Sequence, residues 1–527
     1  MKTKILLIFF LIFTLTASAG LAADTDLMYY SELNLPSVKV HEKLPSEYDM
    51  RKKGWVTSCK DQGWYGTCWA FAATSAAETS LLKKNLVKSK DGNKKNTADY
   101  PDLSELQLAY FLYNRGKDAP PGTKKDKIIS ATGDSYLDAG GEAYQTTFAL
   151  ASWTGAVTEK KTDADYNDAD KKTKLNKNLE YLSDFAHLQN AWWVKAHDRS
   201  SVKSMILKHG SPIICYYSGY WDYSYHKVSG TSGTDMTYYN PYSWEMPDHE
   251  VVIIGWDDDY PAGNFSPRPP GNGAWLVKNS WGSSWGNDGC FWLSYYDAAI
   301  DDYAVFLDFE KADDYQNIYQ YDGGGSTGQD LSYGNTGWMS NVFASRGKQT
   351  INAVSFFAEE NADLDYSIQI YTGIADKNDP ASGRRRLSVP QKGTTTYAGY
   401  YTVPLDEPVR LSDKETFSIV IKLHKKGKED VYMPVDTDAT RYGWVKYDTS
   451  AGKGQSFVSA DGHRWKDISA DGSSNIRIKA FTDESRPLWW LYAAAAVSAL
   501  LLAAAVILLC RRSRRKKKDA DNGISLS

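Results

Sequence analysis

From about Tyr315 to Asp483 apolar and polar positions alternate along the chain. Phe417, Ile419, Ile421 and Leu423 interleave with Ser418, Val420, Lys422 and His424, and Ile476, Ile478 and Ala480 with Asn475, Arg477 and Lys479. A period of two is that of a β-strand with one buried face. Asp-Gly pairs at 322–323, 461–462 and 471–472 supply turns. The pattern predicts a separate antiparallel β-sandwich over 315–483. Upstream the pattern is mixed. Trp69–Lys84 is Ala-rich without Gly or Pro and predicts a helix with Cys68 at its N-terminal edge; Leu103–Tyr113 predicts another. Val251–Ile254 and Trp275–Val277 are short apolar runs that predict buried strands. Glu159–Lys177 and Asp257–Gly273 are polar and predict insertions or long loops. Residues 44–305 therefore form an α+β domain ahead of the sandwich.

The two ends carry a different pattern. Lys2 and Lys4 precede the apolar run Ile5–Leu15, and small residues follow at Ala17-Ser18-Ala19 and Ala22-Ala23. This predicts a signal peptide over 1–23, cut after Ala19 or Ala23, with an uncleaved anchor as the alternative. A short segment, 24–43, separates it from the first domain. Leu488–Cys510 carries no charge. At about 1.5 Å per residue it reaches roughly 35 Å, which predicts one transmembrane helix over 488–510 with membrane lipid around it. Trp489, Trp490 and Tyr492 suit the outer interface, and the basic tail 511–527, from Arg511 and Arg512 to Lys518, stays in the cytoplasm. The body of the protein is then expected outside the cell, at the cell membrane.

Composition narrows the field. Hydrophobic residues make up 42% of the chain and the net charge is -4, which argues against a general nucleic-acid binder. Aromatic content is high, with 36 Tyr and 18 Trp, as on peptide or carbohydrate surfaces, although strand cores use the same residues. The 5 cysteines are too few for a disulfide scaffold. Cys510 sits at the membrane boundary, where palmitoylation and inert packing are both open. The carboxylates Asp257-Asp258-Asp259 read as a solvated loop, with calcium binding as the weaker alternative, so no metal site is expected.

Three motifs carry chemistry. In Gln62-Gly-Trp-Tyr-Gly66-Thr-Cys68-Trp69 the thiol stands where a helix begins, and free amides and the helix dipole favour a thiolate there. Gly66 lets a substrate carbonyl approach the Cys68 amide, and Gln62 offers a second donor to an oxyanion. His249 begins the apolar strand after Asp248, a rigid setting for a general base. Asn279, in Lys278-Asn279-Ser280-Trp281-Gly282, can accept from the imidazole and fix its orientation, with Trp281 covering that bond.

These motifs, in this order, resemble the papain family of cysteine proteases. Leu44-Pro45…Tyr48-Asp49-Met50-Arg51 resembles the family's mature start, and Leu103–Leu108 its second helix. The resemblance implies a two-lobed papain-like fold with Cys68 as nucleophile, His249 as base, Asn279 as orienter, Gln62 in the oxyanion hole, and Gly140-Gly141 lining the non-primed cleft. It implies hydrolysis of peptide bonds through an acyl-enzyme, without metal or organic cofactor. The region 315–483 resembles the lectin-like domain of some prokaryotic members, so carbohydrate is a candidate partner beside peptide or protein substrates. Trp338, Trp444 and Trp465 are candidates to stack on sugar.

There are departures. Tyr65 and Asp138-Ala139 stand where the family carries a disulfide, and Glu250 replaces a small residue after His249. Cys68 and His249 lie farther apart than the usual about 130–150 residues, an excess assigned to the polar stretches. In papain-like folds the segment ending at Cys290 returns beside Cys59, which favours a Cys59–Cys290 bridge with Cys215 free. A catalytically silent adhesin and a peptide acyl transferase are the alternative functions.

Overall fold

The computed structural model describes residues 38–484 apart from 88–100, 117–119, 182–183, 220–224, 229–234, 325–328, 359–362, 428 and 442, together with 28–30, 35 and 507–508. The expected signal peptide, half of 24–43, the tail 511–527 and all of the expected span 488–510 except residues 507–508 lie outside the described residues. Among the described residues no helix is long and apolar enough to cross a membrane.

The alanine-rich run forms helix α1, Cys68–Lys83, buried from Trp69 to Leu82. A helix without a polar face belongs inside a core, and α1 is the axis of the first lobe. Around it lie α2, Glu105–Tyr113, whose N-cap Ser104 accepts from the Gln107 amide, and α3, Ala143–Ala151. The second lobe is a twisted sheet with α4, Arg199–His209, on its far side. Its strand His249–Asp257 lies between Pro212–Tyr216 and Ala274–Lys278, both antiparallel. The short strand Glu47–Asp49 pairs onto the end of His249–Asp257. One core joins the helices to the sheet and contains Trp69, Phe71, Leu106, Phe148, Ile254 and Leu276.

Residues 318–480 build the predicted sandwich. Met339, Phe343, Ile368, Ile370, Phe417 and Ile419 of one sheet meet Ile351, Val354, Phe356 and Ile478 of the other. The alternation over 417–423 is correct on the core side, where Phe417, Ile419, Ile421 and Leu423 are fully buried.

The sandwich is joined to the protease lobe by strand pairing that the alternation pattern does not announce. Its strand Ala398–Leu411 pairs antiparallel with Ala186–Lys195 of the protease lobe, Ala398 opposite Trp193 and Tyr400 opposite Ala191. One sheet of 13 described strands thus takes strands from both domains. A second seam pairs Lys127–Ser130 with Val445–Asp448. Backbone pairing between distant segments has no local sequence signal. The expected strand through 475–480 is broken at Arg477, whose fully buried guanidinium lies 3.5 Å from Asp436, beside the Lys479–Asp322 ion pair at 2.8 Å. Burial of these charges requires mutual pairing, and the backbone turns to provide it. Asp322-Gly323 is likewise a buried contact: the Gly323 amide donates to Asp126 of the first domain.

Candidate active site

Cys68 is the first residue of α1, after the N-cap Thr67. Its own amide and that of Trp69 precede the first intrahelical bonds, which Ala70 and Phe71 make to the Thr67 carbonyl. The thiol is half-buried. Burial pushes it up to about 12, against the pull of the Glu250 and Trp69 backbone amides. His249, 5% exposed, opens its strand opposite Tyr216. Burial holds the imidazole below its ordinary value, with the Asn279 bond acting in the other direction. The amides at the helix start favour the thiolate and desolvation opposes it.

His249 Nε2 lies 2.8 Å from Asn279 Oδ1. Oδ1 is an acceptor and also takes the Ser280 amide at 2.8 Å, so Nε2 carries the proton and Nδ1 is the basic nitrogen. Trp281 stacks on His249 with centroids 4.9 Å apart at 24° and shields the bond. The Trp281 ring also packs edge-on against Tyr225 and Trp285. Asn279 is held from several sides. Lys278 bonds Thr57, which precedes α1, and Ser75 on α1, each at 3.0 Å, tying the strand to the nucleophile's helix. The Asn279 amide donates to Gly289 O at 2.9 Å, and its carbonyl accepts from the Cys59 thiol at 2.9 Å.

That last bond corrects the expected bridge. Cys59 and Cys290 are both free thiols. Cys59 lies flush against Gly289, where an added Cβ would meet its Sγ at 2.3 Å, and its sulfur is directed to Asn279. Cys290 is buried, and desolvation pushes its thiol up to about 12.

Gln62 is buried beside the thiol's loop. Its Nε2 donates to Tyr65 O at 2.9 Å, its Oε1 accepts from Ser280 Oγ at 2.5 Å, and its backbone amide donates to Ser280 O at 2.8 Å. One amide hydrogen of Nε2 remains for an oxyanion. Gly66 has no crowded neighbour: a Cβ there would lie 3.5 Å from Asp138 O. Gly141 has no room for a side chain, since a Cβ would meet the Trp69 ring at 2.4 Å. Gly140 has φ +72° and gives its carbonyl to Tyr113 Oη at 2.9 Å.

Two residues have roles that sequence reasoning missed. Tyr166, inside the polar stretch 159–177, bonds Gln62 O at 2.9 Å and Thr67 Oγ1 at 2.5 Å, and packs edge-on against Phe71. This stretch is therefore a prop for the nucleophile loop. A lone aromatic among charges was the available signal. Glu250 is the other. Its side chain is buried and accepts the Ala143 amide at the start of α3 at 2.8 Å, and burial holds its carboxyl well above the usual range. A helix N-terminus with free amides explains why a carboxyl fits where a small residue is usual.

A thiol at a helix start, an imidazole on a facing strand end and an amide behind it define a cysteine peptidase site on a two-lobed fold. Residues 44–93 and 126–305 match the papain family cysteine protease model, and 318–482 match the lectin-like domain model. The first domain is thus a papain-family cysteine protease domain, and the second a lectin-like domain.

The chain is 26% identical over 257 residues to a cysteine protease of Blomia tropicalis, covering 48% of this chain and 62% of that protein. It is 27% identical over 253 residues to cysteine proteinase 15A of Pisum sativum, covering 47% and 57%. It therefore spans only about three-fifths of the length of these curated relatives. Among solved structures, the cysteine protease and lectin-like domains of Cwp84, a surface layer associated protein of Clostridium difficile, align with TM-score 0.68 at 23% identity over 86% of this chain and 91% of that one. A variant of Cwp84 after propeptide cleavage aligns with TM-score 0.66 at 24% identity, over 83% and 99%. These two likenesses show that the fold of both domains, in this order, is shared.

Proposed function

We propose that this chain is a cysteine endopeptidase acting on peptide or protein substrates outside the cell. Cys68 Sγ attacks the scissile carbonyl carbon as its proton passes to His249 Nδ1. The oxyanion accepts from the Cys68 amide and from Gln62 Nε2. His249 returns the proton to the leaving amine, and the C–N bond breaks to give a thioester on Cys68. A water molecule, deprotonated by His249, attacks the thioester; the acid leaves and the thiol takes back its proton. The observation that carries this reading is the His249–Asn279 bond at 2.8 Å under Trp281, which frees Nδ1 as the base next to the nucleophile's helix. The full-length protein is expected to cleave members of a peptide library. Cys68→Ala is expected to lose cleavage while melting at the same temperature; retained cleavage would refute the assignment.

The location proposed is a cell membrane with the protease domain outside. It is supported by the apolar runs near both ends and the basic cluster after Leu488–Cys510. Protease treatment of intact cells should remove the Cys68 domain and spare the tail; the reverse would overturn this topology. Carbohydrate is proposed as the partner of the second domain, supported by the lectin-like match. A glycan array with no binding above background would dismiss it.

A further inference from the structure

The first turn of α3 is where both lobes and the second domain meet. Gly141, just ahead of it, rests on the ring of Trp69, the residue after Cys68. The Ala143 amide donates to Glu250 Oε1 at 2.8 Å, and Glu250 follows His249 on its strand. The backbone amide of Glu250 in turn donates to the Cys68 thiol. The turn therefore touches the nucleophile's helix on one side and the base's strand on the other. The bond from Ala143 to Glu250 crosses from one lobe to the other beside the catalytic pair.

Gln145 holds this turn. It forms a reciprocal cap with Glu142, whose amide donates to Gln145 Oε1 at 3.0 Å. The cap leaves Gln145 Nε2, which donates to the Tyr447 hydroxyl at 2.8 Å. Gln145 and Tyr447 are both fully buried, so bulk water does not stand in for either partner. Tyr447 belongs to the lectin-like domain. Its strand, Val445–Asp448, is fixed by pairing with Lys127–Ser130 of the first domain. A hydroxyl of the second domain thus completes the polar network at the start of α3.

We propose that Tyr447 is a positioning residue of the peptidase: it holds Gln145, Gln145 holds the first turn of α3, and that turn sets His249 against Cys68. The inference rests on the peptidase reading of Cys68 and goes beyond it, since a residue of the lectin-like domain then supports the catalytic pair of the other domain. Without the hydroxyl, a buried amide donor loses an acceptor, which is costly enough to move the turn. Rate depends steeply on the alignment of the reacting groups, so a small movement there is felt in kcat.

The test uses the full-length protein at a temperature where circular dichroism shows every variant folded. Tyr447→Phe removes the hydroxyl and keeps the ring. It is expected to lower kcat about three- to tenfold, the scale of one buried hydrogen bond, with KM within about twofold. Gln145→Leu should lower kcat by a similar factor, and adding Tyr447→Phe to it should cost nothing more, because both remove the same bond. Val445→Ala trims the buried packing of the same strand and leaves that bond in place, so it should lower the melting temperature and keep kcat. An unchanged kcat in Tyr447→Phe, a further loss in the double variant, or an equal loss in Val445→Ala would overturn the proposal and make Tyr447 a packing residue only. If Tyr447→Phe fails to fold, Gln145→Leu decides, with the same loss of kcat expected and an unchanged kcat overturning the proposal. No cleavage by the unaltered protein, with Cys68 unreactive towards a thiol-directed epoxide, would overturn the peptidase reading together with this one. Cleavage whose kcat ignores both substitutions would overturn this proposal alone.

Discussion

Replacing Asn279 by alanine removes one acceptor and leaves the fold around it largely in place. Asn279 is 4% exposed, and its backbone amide and carbonyl are held by Gly289 and Cys59 independently of the side chain. What is lost is the bond from His249 Nε2 at 2.8 Å, which carries the catalytic effect, and that from the neighbouring Ser280 amide at 2.8 Å. That bond grows stronger when the imidazole takes the proton of Cys68, because the donor is then charged. A hydrogen bond to a charged group contributes about 1.5–3 kcal/mol. At about 1.4 kcal/mol per decade, kcat/KM should fall roughly 10- to 150-fold. The pH profile adds a signature that simple destabilisation lacks. Burial already lowers the His249 pKa, and the Asn279 bond opposes that shift. In the unaltered protein the acid limb of kcat/KM therefore lies below the ordinary imidazole value of 6.5, since His249 must be neutral to accept the proton. Without Asn279 the imidazolium is disfavoured further, so the limb moves to lower pH while the plateau drops. Steady-state rates from pH 4 to 9 on one peptide decide it. A limb that moves upward, or a plateau within threefold of the unaltered protein, would refute the orienting role of Asn279.

Three other substitutions probe the site's surroundings. Gln62→Ala should lower kcat by about 10²–10³, the cost of one oxyanion donor; an effect on KM alone would assign Gln62 to substrate binding. Gly141→Ala forces a Cβ to 2.4 Å from the buried Trp69 ring, and overpacking of this kind costs about 1–3 kcal/mol; an unchanged urea midpoint would contradict the close approach. Glu250 has its pKa raised in the fold by burial. Its contribution is therefore present below the ordinary value of 4.5 and lost as pH rises through the folded value. Glu250→Gln should accordingly flatten the decline of Tm on the alkaline side, and a steeper decline in the variant would show that the carboxyl is ionised when buried.

The catalytic residues were legible because each lies in a short motif on a regular element. Cys68 starts a helix whose alanine-rich sequence announces it, His249 starts a strand of four consecutive apolar residues, and Asn279 follows another. Local propensity, periodicity and chemistry agree there. The remainder depended on contacts between distant segments. The shared sheet through Ala398–Tyr400 and Ala191–Trp193 joins strands some two hundred positions apart, and nothing in either segment names its partner. The break at Arg477 follows from buried charges that find Asp436 and Asp322 only after folding. Tyr166 sits in a stretch whose polar composition reads as solvent-exposed, yet its ring supports the nucleophile loop. Cys59 was assigned a sulfur partner from its expected neighbourhood. The neighbourhood was right, but its thiol bonds the Asn279 carbonyl, which chain position does not reveal.

The most direct test of Cys68 as the nucleophile is stoichiometric labelling of the full-length protein with a thiol-directed epoxide, followed by peptide mapping and residual-activity measurement on the same samples. The account predicts one label per chain, on Cys68, with hydrolysis lost in proportion to labelling and with Cys59, Cys215 and Cys290 unmodified. Hydrolysis that persists when Cys68 is fully labelled, or loss of activity that tracks a label on another cysteine, would contradict it.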